Sequence, residues 1–216
     1  MLDKLKQSIN QNYLMISSLC EERLKANFNL IDTLSSPVHT SIKSTIEVIE
    51  GIRINCFIRG IVTEGMTEEM FISHYRKYSN KKQLIELIEK QRRTHTEIIN
   101  LLCGCIIREN YKKNISITAD QINKINFLIS LTANDLYNCL IMYDECKDKN
   151  CFYKEENPRE LELIKVTKSK LEQYGYAETN IFCGGDVAIN KYFFNLMSQD
   201  ILSYFTYEEL IDVLKL

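Results

Sequence analysis

The sequence predicts an all-α protein, a bundle of seven or eight helices that opens with a long N-terminal antiparallel hairpin. Three observations carry that expectation. Two prolines and seven glycines in 216 residues leave the chain short of the residues that interrupt regular structure. Apolar residues recur at three- and four-residue steps over long stretches, the period of a helix. Several of those stretches begin with Ser, Thr or Asn followed three residues later by Glu or Gln, the reciprocal capping pattern.

The first helix is expected over residues 2–34, where Leu5, Ile9, Tyr13, Ile16, Cys20, Leu24, Phe28 and Ile31 form one apolar stripe. Ser36 as N-cap and Pro37 at the first helical position start a second helix, which runs to about Gly60 through Val38, Ile42, Ile46, Ile49, Cys56 and Phe57. The short connector between these two predicts the hairpin. A short helix follows over 67–78. Asn80 with Gln83 then opens a helix expected to continue to Asn110, and Thr118 with Gln121 opens another through Ile122, Ile125, Leu128, Leu136 and Leu140. Asn157-Pro158-Arg159-Glu160 begins a helix that ends at Gly175, a C′ glycine. Asp186 is expected to cap a helix reaching Tyr204, and Thr206 with Glu209 to start the last. No segment reads as a strand; Asn114 to Thr118 alternates, but too briefly to build a sheet. The polar linker Tyr111–Ser116 suggests units over 1–113 and 114–216, which can equally form one continuous domain.

Charge narrows the function. Lys and Arg total 27 against 29 Asp and Glu, a formal net charge of −2. No global field therefore draws the protein to nucleic acid or to an anionic membrane. The longest apolar run, Ile98–Ile107, falls far short of the roughly 20 residues that span a bilayer. With no leader-like N-terminus, a cytoplasmic protein without a membrane span is expected. Its cysteines then read as reduced thiols, with Cys20, Cys56, Cys103, Cys105 and Cys139 acting as small hydrophobes among helical apolar residues.

The metal and cofactor motifs are defective, so none is expected. His39, His74 and His95 sit on separate helices without a ligand at helical spacing. Cys139, Cys146 and Cys151 depart from the close-paired knuckles that clamp zinc, and Cys103-Gly104-Cys105 lies in an apolar segment. Asp144, Asp148, Asn150 and Glu155 match ligand positions of a calcium loop, yet Cys146 replaces one ligand and Lys149 the turn glycine. Cys183-Gly184-Gly185-Asp186 before a helix could cradle a phosphate or lower a thiol pKa, but no strand precedes it and no phosphate fingerprint is present.

Two surfaces remain. Residues 57–76 fit a helix-turn-helix with helix 67–78 as reader and Arg76, Lys77, Lys81 and Lys82 on phosphates, against which Glu64, Glu68 and Glu69 stand at the turn. The C-terminal third concentrates aromatics. Tyr192, Phe193, Phe194, Tyr204, Phe205 and Tyr207 cannot all face one core stripe, which suggests an interface with another protein or a second copy of the chain. The sequence thus favours a non-enzymatic helical interaction or regulatory protein, with a DNA-binding regulator second and a ligand sensor or enzyme using an inter-helix pocket third.

Overall fold

The computed structural model describes residues 45–62, 81–94, 96–113, 115–147, 152–153, 161–180 and 186–214. Its helices are α1 (Thr45–Ile61), α2 (Lys81–Gln91), α3 (Glu97–Lys113), α4 (Ala119–Ser130), α5 (Ala133–Cys146), α6 (Leu161–Gln173), α7 (Lys191–Asn195), which continues as a π-helical turn over Leu196–Ile201, and α8 (Tyr207–Leu214). The all-α class is therefore right. The first helix of the proposed N-terminal hairpin and the helix over 67–78 lie outside the described residues, while the hairpin's second helix is described from Thr45 on, as α1.

Two compact units, Met1–Ile125 and Asn126–Leu216, divide the chain. In the first, α3 is buried along nearly its whole length, from Ile98 through Arg108, because apolar residues surround it on all sides. It packs on α1, with Cys56, Phe57, Ile61, Leu101, Leu102 and Cys105 in the core. The two helices run in the same sense: Glu50 and Arg53 of α1 meet Arg92 just ahead of α3, and farther along Arg108 reaches Gly60. Where they cross, Gly60 faces Gly104. A Cβ on either glycine would stand 2.8 Å from the other's Cα.

The expected single helix over 80–110 is two helices, α2 and α3, and no glycine or proline separates them. Side chains make the break instead. Thr94 Oγ1 and Asn100 Nδ2 each donate to the Gln91 carbonyl at 2.9 Å, and Arg53 donates to the Arg92 carbonyl at 3.2 Å. These bonds satisfy carbonyls that a continuing helix would use. The helix predicted from Thr118 through Leu140 is likewise two. It starts as expected, with Thr118 and Gln121 capping each other. It is interrupted at Leu131–Thr132, where Thr132 and Asp135 form a second capping box that begins α5.

The second unit also corrects the expectation of no strands. Three short strands, β1 (Phe152–Tyr153), β2 (Ala177–Asn180) and β3 (Asp186–Ile189), pair antiparallel in the order β1-β3-β2. Ala177 opposes Ile189 and Asn180 opposes Asp186, while Phe152 opposes Ala188. Gly175, at φ 74°, is the predicted terminator of α6 and turns the chain into β2. The Tyr176 amide reaches back to the Leu171 carbonyl and the Gly175 amide to that of Glu172, the bonds of a left-handed C-cap. Asp186 accordingly opens a strand and not a helix. The helix cap is Asn190, whose Oδ1 accepts from the Tyr192 and Phe193 amides. Residues 115–118 stay outside the sheet.

Candidate functional site

The most concentrated polar cluster among the described residues lies where α5 and α6 pack. Asp135, 4% exposed, accepts through Oδ2 from the Thr132 amide and hydroxyl and from Lys170 Nζ at 2.6 Å, and through Oδ1 from the Thr167 hydroxyl at 2.7 Å. Thr167 also accepts from Asn138, and Lys170 donates to the Ser130 carbonyl at 2.7 Å. Burial by itself raises the Asp135 pKa. The hydrogen bonds from Lys170, Thr132 and Thr167 outweigh burial and hold the carboxyl below its ordinary value. Both oxygens of this carboxylate are thus engaged in closing one helix and opening the next. The cluster is a clamp at the α4–α5 corner, not a general base with a free face.

The thiols are similarly occupied. Cys56, Cys103, Cys105, Cys139 and Cys146 are buried thiols that form no disulfide. Burial pushes the Cys103 and Cys139 thiols far up and Cys105 to about 11, where Arg108 beside it only partly compensates. A nucleophilic cysteine needs the opposite shift. Cys183 to Gly185 lie outside the described residues, and a strand follows them, so the expected helix N-terminus for a phosphate is not there. Asp144 pairs with Lys147 at 2.6 Å; Asp148, Asn150 and Glu155 lie outside the described residues, as do His39, His74 and His95. Among the described residues no group of three His, Cys, Asp or Glu side chains gathers to hold a metal, and no helix is long and apolar enough to cross a membrane.

Of the proposed phosphate-contacting residues, Arg76 and Lys77 lie outside the described residues. Lys81 and Lys82 begin α2. The aromatic set is divided by the helix itself, since neighbours sit about 100° apart on a helical surface. Phe193 and Phe205 are core residues at 0% and 3% exposure, joining Leu196, Met197, Ile201, Leu210 and Ile211. Tyr192 is 60% exposed, with Lys191 Nζ 5.4 Å from its ring centroid. Phe194, Tyr204 and Tyr207 are half-buried. Phe194 packs on Tyr143 of α5 with ring centroids 6.0 Å apart. Tyr207 of α8 lies within the field of Asp144 and Glu145 of α5; burial first, then Asp144, raises its pKa.

Sequence reasoning missed the Asp135 clamp, although Thr132 and Asp135 carry the Ser/Thr-x-x-Asp/Glu signal ahead of an apolar run. The long-range partners, Thr167 and Lys170, carry no local signal at all. Comparison with protein-family models, with curated proteins and with solved structures finds no match.

Proposed function

We propose that the protein is a non-enzymatic interaction protein that binds another protein through the aromatic surface of its C-terminal unit. The observation that carries this reading is Tyr192, an aromatic side chain 60% exposed in the first turn of α7. A large ring left in water gains by being covered, and tyrosine is enriched at protein interfaces. Asp144 and Glu145 stand exposed on α5 next to the Tyr143–Phe194 pair, and Glu208 on α8 is also exposed. Lys147 pairs with Asp144 and Lys191 stands by the Tyr192 ring, so the rim carries both signs and suits a partner with mixed charges around an apolar centre.

A photo-crosslinking residue at position 192 of the full-length protein tests the reading, with the exposed position 178 as control. The expected result is one saturable adduct with a distinct protein at 192 and none at 178, weakened by raised salt. Equal, diffuse crosslinking at both positions by a strictly monomeric chain would overturn it.

A further inference from the structure

We draw no further inference here: the strongest candidate, the side-chain cluster in which half-buried Tyr207 of α8 stands by Tyr137, Asp144 and Lys147 of α5, belongs to the aromatic surface already described, and nothing in the structure shows what covers it.

Discussion

Gly60 of α1 and Gly104 of α3 meet backbone to backbone, and each lies where the other's side chain would have to go. A methyl group on Gly60 would overlap the Leu101 carbonyl oxygen, and one on Gly104 the Phe57 carbonyl oxygen. These obstacles are main chain and cannot swing aside. Gly60→Ala and Gly104→Ala should therefore each destabilise the protein by about 2–3 kcal/mol. The double variant should cost less than the sum, since both changes wedge open the same crossing. Urea denaturation measures all three, and single variants as stable as the natural protein would contradict the close crossing.

Asp135 should matter through its charge. Its folded pKa is depressed, so its contribution is complete above the unfolded value of about 4 and is lost as pH falls through the folded pKa. Asp135→Asn should flatten the acid limb of the stability profile. It should also cost about 2–3 kcal/mol at pH 7, because Lys170 loses its anionic partner in a partly buried place. Lys170→Met should weaken the same limb and additionally leave the Ser130 carbonyl without its Lys170 donor. An acid limb unchanged in both variants would place the titrating group elsewhere.

Adjacent rings in α7 should behave oppositely. Phe193→Ala removes a fully buried ring and should cost about 3–5 kcal/mol. Tyr192→Ala, on the exposed side, should change stability by no more than about 0.5 kcal/mol while abolishing capture of the partner by a photo-crosslinking residue placed elsewhere on the same unit. Thermal melts read the first effect and partner capture at a separate aromatic, Tyr207, reads the second.

Asn190 joins a sheet end to a helix start. Its Oδ1 caps α7 and its Nδ2 donates to the Gly175 carbonyl at 2.7 Å. Asn190→Ala should cost about 1 kcal/mol, and Asn190→Asp, which keeps the cap but not the second bond, should recover most of it. Equal losses in both variants would mean that the Gly175 bond carries the effect.

Individual residues show why some features were legible and others were not. Thr118 with Gln121, Thr206 with Glu209, and Gly175 act as read, because each partner lies within a single turn of chain. The two missed breaks have partly distant causes: Arg53 acts on Arg92, and Lys170 on Ser130. The strands were missed because β2 and β3 are four residues each, too short for a two-residue period to stand out, and their meaning lies in pairing. The aromatics were half legible. Adjacency alone shows that Phe193 and Phe194 must diverge, but not which one enters the core.

From the order of residues alone come the helical class, the local caps and the thiols' place among apolar neighbours. These follow from side chains within a few positions of one another. Tertiary structure decided where α1, α2 and α4 stop. With so little glycine and proline, carbonyls at helix ends are taken by Arg53, Asn100, Arg108 and Lys170 reaching in from other elements. A backbone group must find a partner when it is buried, and only the folded chain brings such a partner within reach.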